Sequence, residues 1–464
     1  MREREERLMF SPGVQLSGDF RFRTSLLSAS NLPESRPGTN SPEEFALDQE
    51  LRLKMKSVVH PMASLVLELS TAQEPYYRSD LRDGSTRQVG EADSQNIGVV
   101  ARQSYLDLNF NPRNTLRVGK QEVNLGDRRG KVFNGLLTGF AQPECRTGTW
   151  CYEFGAYKLS TVDGDWLYAL SLDYPFVYEL DASENPVNVI RAEIFRIKYS
   201  EHDIPLGSRL HPAIRPADNT STTGLLTNAA GQPLYYNAHE QEYFGLRFLW
   251  ETSKLRVYAD VVSNQGNRRY FVASDRHAQE LYKLSGVATE GELVYKTQTG
   301  EFGLLWMNAR GDEQLDNATA NYQRGLEGYY EIVPGTYQGT QFYFNGGSLN
   351  LNSGTGLGRS INNTQLLGLR LLYNVPESDL TYRFGLYQLK HLQSVIDQDG
   401  RRVKDIGLEW DNTFSFPLIR HLQADLDINL FQVGPAFSYS DAAPGLGTNG
   451  ELLTHVAGRL TYSF

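Results

Sequence analysis

Apolar and polar residues alternate with period two along most of this chain, which predicts β-strands with one apolar and one wet face. From about residue 13 to 26, Val14, Leu16, Phe20, Phe22 and Leu26 share one face, and Gln15, Asp19, Arg21 and Arg23 share the other. Residues 45–58 repeat the pattern, with Leu47, Leu51, Leu53 and Met55 opposite Asp48, Glu50, Arg52, Lys54 and Lys56. Further strands are marked by Leu65, Leu67 and Leu69, by Leu106, Leu108 and Phe110, and by Leu116 and Val118. Others run over about 243–250, 255–261, 367–373, 380–386, 405–411 and 422–430, with Ile406, Leu408 and Trp410 opposite Asp405, Glu409 and Asp411. The last strand sets Leu452, Val456, Gly458, Leu460, Tyr462 and Phe464 against His455, Arg459, Thr461 and Ser463. An uncapped amphipathic strand at a chain end invites edge-to-edge aggregation unless something pairs with it. In a closed barrel its partner is the first strand.

The connections alternate in length. His60-Pro61, residues 111–114, Thr252-Ser253 and residues 375–378 are tight turns, whereas about 28–44, 72–96 and 201–238 are long and polar. That two-sided asymmetry belongs to outer-membrane barrels, with short periplasmic turns and long extracellular loops. At about 25 residues per strand and connection, the chain makes roughly 16 to 18 strands, most simply about 18. The expected fold is all-β: a single transmembrane antiparallel β-barrel over residues 1–464, with residues 1–12 as a periplasmic tail. Parity slips over 131–199 and 327–360, where the pattern does not assign strands. A barrel of this size encloses an aqueous lumen rather than a packed interior.

Composition changes that picture little. Hydrophobic residues make up 40% of the chain and mean hydropathy is −0.44, which excludes a bundle of apolar helices but not a barrel, where only alternate residues face lipid. The 26 Tyr, 22 Phe and 42 Gly suit aromatic girdles and tight turns. With 55 acidic and 45 basic residues the net charge is −10, which argues against a nucleic-acid partner. Cys145 and Cys151 are spaced for a small loop disulfide in an oxidising compartment. No haem-attachment, zinc, Gly-x-Ser-x-Gly, His-Glu-x-x-His or phosphate-loop motif occurs, so no catalytic residue, metal or cofactor is expected, and the chain does not read as an enzyme. Asp163-Gly-Asp165 and residues 397–400 read as hairpin turns rather than calcium loops. The charged start, Met1 to Arg7, has no apolar leader run behind it, so the outer-membrane reading takes a signal peptide as already removed.

On the wet face the charges are the selectivity element of a pore. The candidate anion path comprises Arg21, Arg23, Arg52, Lys54, Lys56, Arg117, Lys120, Arg247, Arg383 and Arg459. Acidic residues are dense toward the carboxyl end, which closure would bring beside the basic amino-terminal strands, so internal ion pairing competes with use. Arg21 and Arg23 on one strand and Arg52, Lys54 and Lys56 on the next would repel across the ladder unless paired or used. Alternation from Leu116 and Val118 turns Lys120 toward lipid; the pore assignment for it requires a bulge near Gly119 or a place above the membrane.

Residues 102–109, the turn, and Leu116-Arg-Val-Gly-Lys-Gln121 resemble the strand–turn–strand of the alginate-export outer-membrane porins, which ends in Leu-Arg-x-Gly-Arg-Gln. Lys404-Asp-Ile-Gly-Leu-Glu-Trp-Asp411 is similar to that family's Lys-Asp-Ile-Gly-x-Glu-Leu-Asp near the carboxyl end. The resemblance implies an 18-stranded monomer that passes an anionic polysaccharide through a basic, loop-gated pore. Lys120 stands where the family has Arg, and Glu122 replaces a basic residue, which weakens the polyuronate reading. The expected function is therefore an outer-membrane channel for anionic solutes or an exported anionic polysaccharide, with outer-membrane lipid around it. The competing expectation is a barrel sheathing a protein partner such as an electron-transfer cytochrome.

Overall fold

The computed structural model describes residues 8–11, 14–28, 43–60, 62–71, 99–111, 114–126, 129, 131–141, 150–158, 166–182, 186–200, 234–272, 275–311, 328–329, 331, 337–344, 361–396, 401–437 and 449–464. Cys145, the side chain of Cys151 and both candidate calcium turns lie outside the described residues, as does most of 201–238. The strands are β1 (Leu8–Ser11), β2 (Val14–Ser28), β3 (Glu43–His60), β4 (Ala63–Ser70), β5 (Val100–Asn111), β6 (Asn114–Leu125), β7 (Phe133–Ala141), β8 (Cys151–Lys158), β9 (Trp166–Leu180) and β10 (Pro186–Ser200). They continue as β11 (Leu234–Thr252), β12 (Leu255–Val272), β13 (Asp275–Lys296), β14 (Gly300–Ala309), β15 (Thr364–Asn374), β16 (Thr381–Ile396), β17 (Arg402–Ile419), β18 (Leu422–Val433) and β19 (Leu452–Ser463).

From β2 to β19 each strand pairs antiparallel with the next, and β19 pairs with β2, so 18 strands close into one barrel. The short β1 folds back on β2. Residues 8–11 are therefore paired backbone, where the sequence pattern predicts a tail. Closure follows from the two terminal patterns: Leu460 faces Phe22, Tyr462 faces Phe20 and Val456 faces Leu26. Phe464 and Gly18 then exchange N–H···O bonds, both at 2.9 Å, which extends the seam to the last residue.

Parity decides which face meets what. Outward residues such as Phe20, Val118, Tyr168, Leu170, Leu246, Val261, Trp306, Leu367 and Leu460 are exposed apolar groups, forming a belt suited to lipid. Inward residues of the same strands are mostly buried, charged on strands such as β2 and apolar at Leu167, Val262, Leu305, Met307 and Leu366. A barrel strand needs about 9–11 residues to cross the apolar layer, so β11, β12 and β13, at 19, 18 and 22 residues, project well beyond it. The long connections, from β2–β3 to β18–β19, leave one rim, and the tight turns leave the other.

One parity assignment needs correcting. Lys390 pairs with Asp405 while Leu389 pairs with Gly407, so Ile406 is an extra, bulged residue. Gly407 has φ of 153°, which only glycine adopts without strain. The bulge turns Ile406 inward, where it is fully buried, and leaves Asp405 exposed. The sequence pattern predicts the reverse.

The seam yields a prediction. A side chain at Gly18 would place its first carbon against the Arg52 carbonyl oxygen and 2.8 Å from the Phe464 ring. Gly18→Val should therefore strain the β2–β3 ladder, displace Phe464 and lower barrel stability by about 1–3 kcal/mol, read as a lower urea midpoint in vesicles. An unchanged midpoint would show that the close packing at Gly18 is not needed for closure.

Candidate functional site

The lumen is built from two kinds of element, the inward faces of the strands and, among the described residues, parts of the β6–β7, β14–β15 and β18–β19 connections that fold inside. On the wall β19–β2–β6, register sets charges in complementary positions. Asp19 faces Arg52 and Arg21 faces Glu50 across β2–β3, so carboxylates rather than cations stand directly opposite these two arginines and offset the repulsion between the basic rows. Arg21 Nε lies 2.6 Å from Asp19, and Arg52 Nε donates to Glu50 at 2.6 Å. Arg102, turned inward by an extra residue on β5, sits 3.1 Å from Glu68 and 3.8 Å from Glu50. Arg117 forms a two-pronged pair with Asp107, at 2.7 and 3.1 Å, with its guanidinium 4.0 Å from the Tyr105 ring centroid. Arg459 meets Asp425 at 3.0 Å and stands directly opposite Arg23, which is almost completely buried.

Lys54 and Lys56 continue the inward row of β3 toward the short turns and stay exposed. On the described side chains of β2–β6 and β19 this wall carries eight cations (Arg21, Arg23, Arg52, Lys54, Lys56, Arg102, Arg117, Arg459) against four carboxylates (Asp19, Glu50, Glu68, Asp107). Arg247 lies elsewhere, paired with Glu193 at 2.6 Å on β10–β11. Arg383 also faces inward, exposed, near the short-turn mouth of β16. Lys120 does not line the lumen. Pairing runs unbroken through Gly119, simple alternation holds, and Lys120 turns outward with its Nζ donating to the Ala101 carbonyl at 2.8 Å. The bulge sits on the partner strand instead.

The infolded connections occupy the rest of the lumen. Between β6 and β7, Lys131 is fully buried and bridges Asp260 on β12 and Glu290 on β13, the latter at 2.9 Å. Arg129 pairs with Glu290 and, at 2.8 Å, with Glu292. Burial alone would lower the Arg129 pKa, but Glu290, then Tyr337 and Glu292, overcome this and raise it, so Arg129 stays charged.

Between β14 and β15, residues 337–344 lie against the opposite part of the wall. About midway along β17, Glu409 accepts backbone N–H bonds from Phe342 at 2.7 Å and Tyr343 at 3.1 Å, while Asp411 accepts from Gln341 at 2.8 Å. Arg370 donates to the Gly339 carbonyl at 2.8 Å. Tyr343 stacks on Phe431 at 5.8 Å, with Phe437 beside both. The two segments also hold each other: Gln338 N–H donates to the Arg129 carbonyl at 2.8 Å, and the Tyr329 hydroxyl to the Lys131 carbonyl at 3.1 Å. Together they cover the inner wall from about β7 to β18 and the start of β19 at Leu453 and His455. Beyond them, among the described residues, lies the basic wall, where Arg21, Arg117 and Arg459 are partly exposed and Arg23, Arg52 and Arg102 are buried.

Arg102, Arg129, Lys131, Glu290, Glu292 and the aromatics Tyr337, Phe342, Tyr343 and Phe344 shape the lumen without being marked by the alternation pattern. Arg129 to Lys131 and 337–344 sit in or beside the stretches where parity slips, and parity carries no information about chain that leaves the wall. A signal was present: Tyr337, Phe342, Tyr343 and Phe344 make an aromatic cluster inside an otherwise Gly- and Asn-rich connection, which lipid-facing strands do not need.

No family model and no curated protein matches the chain. Among solved structures it is similar to Pseudomonas aeruginosa OccK9 (OpdG), at 13% identity and a TM-score of 0.52 over 98% of this chain and 99% of that one. It is also similar to Acinetobacter baumannii OccAB4, at 12% identity and 0.51 over 97% and 98%, and to a BenF-like porin from Pseudomonas fluorescens Pf-5, at 11% and 0.51 over 98% and 100%. The likeness is one of fold: a porin-type barrel, and not the alginate-export family in particular.

Proposed function

We propose that the chain is an outer-membrane channel that passes small anionic solutes along the wall β19–β2–β6. The observation that carries this is the division of the lumen. The infolded segments occupy the side lined by Asp260, Glu290, Glu292, Glu409 and Asp411, and the other side has, among its described side chains, eight cations to four carboxylates. Arg21, Arg117 and Arg459 keep 22%, 24% and 29% of their side chains exposed beside the exposed Lys54 and Lys56, and each carboxylate saturates only part of a guanidinium, whereas Arg23, Arg52 and Arg102 are buried and orient the others. An anion passing from Arg to Arg meets donors already oriented. The same filling weighs against two broader readings. An exported polysaccharide, which the resemblance to alginate-export porins implies, and a protein partner within the lumen both need a wider passage. No second copy is needed for closure, since β19 and β2 supply it, and the channel acts as a monomer with outer-membrane lipid around it.

The test is the reversal potential of single channels in a planar bilayer under a KCl gradient. Anions should permeate in preference to cations. Lys54→Gln with Lys56→Gln takes the wall's excess from four positive charges to two and should roughly halve that preference. Cation selectivity in the parent, or selectivity indifferent to both substitutions, would sink the proposal.

A further inference from the structure

The outer face of the barrel is asymmetric in charge. Among the described strand residues, outward-turned Lys and Arg side chains lie toward the long-connection rim, as Lys120, Lys158, Arg196, Lys198 and Lys283 do, and none lies toward the short turns. On β8–β11 they meet aromatics: Lys158 pairs across the ladder with Trp166, Lys198 with Tyr168, and the Arg196 guanidinium lies 5.5 Å from the Phe244 ring centroid. Trp166 and Tyr168 stack at 6.2 Å, and Lys158 Nζ lies 5.8 Å from the Trp166 ring centroid. Thr138 separates Lys158 from Lys120 in the same row. One step further down the strands the face becomes apolar, with Leu172, Ile194, Leu246 and Val261 all exposed. Outward carboxylates of this region are Glu122, Glu240 and Glu242, three against the five cations. Glu242 takes Arg196 at 2.6 Å, while Glu240 stands 4.0 Å from Lys198 with both side chains about half exposed.

We propose that Lys158, Trp166, Tyr168, Arg196 and Lys198 bind the phosphorylated sugar headgroup of an anionic glycolipid in the leaflet on the long-connection side. Cations at the edge of an apolar belt take phosphate. Flat aromatic faces beside them pack on sugar rings, and the belt below takes acyl chains, which a soluble anion would not use. Toward the rim opposite, the described strands carry no outward Lys or Arg, and exposed Lys254 and Arg420 lie in the tight turns beyond the apolar belt, which fits a leaflet-specific ligand. The inference rests on the membrane reading above.

The test uses the full chain in zwitterionic detergent, followed by native mass spectrometry. The probes are a bis-phosphorylated acylated glucosamine disaccharide, phosphatidylglycerol, phosphatidylethanolamine and inorganic phosphate. The disaccharide lipid should bind in preference to the other three, and a Lys158→Gln, Arg196→Gln, Lys198→Gln variant should bind it roughly a hundredfold more weakly. Lys54→Gln with Lys56→Gln should bind it as the parent does. If the triple variant does not fold, Lys198→Gln alone should still weaken binding about fivefold. Equal binding by parent and variant, phosphatidylglycerol binding as well as the disaccharide lipid, or displacement by millimolar phosphate would each overturn the proposal. A chain that conducts in planar bilayers yet ignores the glycolipid loses this inference alone; a chain that never inserts loses both.

Discussion

Replacing Glu409 and Asp411 together by alanine is expected to raise single-channel conductance severalfold and to make the current noisy. The two carboxylates accept three backbone N–H bonds, from Gln341, Phe342 and Tyr343, in a buried setting. Hydrogen bonds contribute about 0.5–3 kcal/mol each, the upper part of that range for a charged acceptor, and the freed N–H groups are costly to leave unmet. Losing all three weakens the infolded state of 337–344 by roughly 2–9 kcal/mol. Opposing this, Phe342, Tyr343 and Phe344 stay attracted to the aromatic cluster around Phe431 and Phe437, at about 1.5–3 kcal/mol per ring. The terms are of similar size, so the segment should neither stay fixed nor leave for good. It should exchange between the two on the timescale of the recording, which is why noise is expected alongside the larger mean current. A variant with residues 337–344 replaced by a short Gly-Ser link removes the segment outright and should give a steady, higher conductance. If both variants conduct as the parent does, the segment does not obstruct the path.

The barrel was legible because each membrane strand obeys one rule, alternation, and obeys it independently of its neighbours. Val14 to Leu26 and Leu452 to Phe464 announce the two sides of the seam without any knowledge of what lies between them. The lumen was less legible for a reason seen at Arg21 and Arg52. Alternation tells which face a residue takes but not the residue it faces, and register decides whether Arg52 meets Arg21 or Asp19. At Ile406 and Arg102 one extra residue inverts or widens the inward face, and nothing in the local composition fixes where such a bulge falls. Lys120 shows the converse. Plain alternation placed it outward, and its position beside a Gly-x-Gln motif was a weaker guide than its period. The infolded segments lie beyond the rule altogether, since chain that crosses the lumen follows packing rather than periodicity.

Lys131→Met is expected to cost about 3–5 kcal/mol of stability, among the largest effects of any single substitution in this chain. Its ammonium is fully buried and placed between Asp260 and Glu290, which are themselves buried. Methionine fills nearly the same volume, so the loss is electrostatic rather than a cavity. Some compensation remains: Tyr258 still donates to Asp260, and Arg129 still pairs with Glu290. Two cations, Arg129 and Arg370, then serve the three carboxylates Asp260, Glu290 and Glu292, and one negative charge is left uncompensated in a medium of low dielectric constant. Removing one partner of a buried pair is costly because it strands the other, whereas replacing the whole set by neutral groups is often close to neutral. Adding Asp260→Asn to Lys131→Met should therefore restore most of the loss, although each substitution alone destabilises. The measurement is the urea midpoint of the barrel in vesicles at neutral pH, taken for the parent, both single variants and the double. Additive losses would show that Lys131 and Asp260 act independently. A recovery in the double variant would show that this pair, reaching across the lumen from β6–β7 to β12, is what fixes the first infolded segment, and through Tyr329 and Gln338 the second.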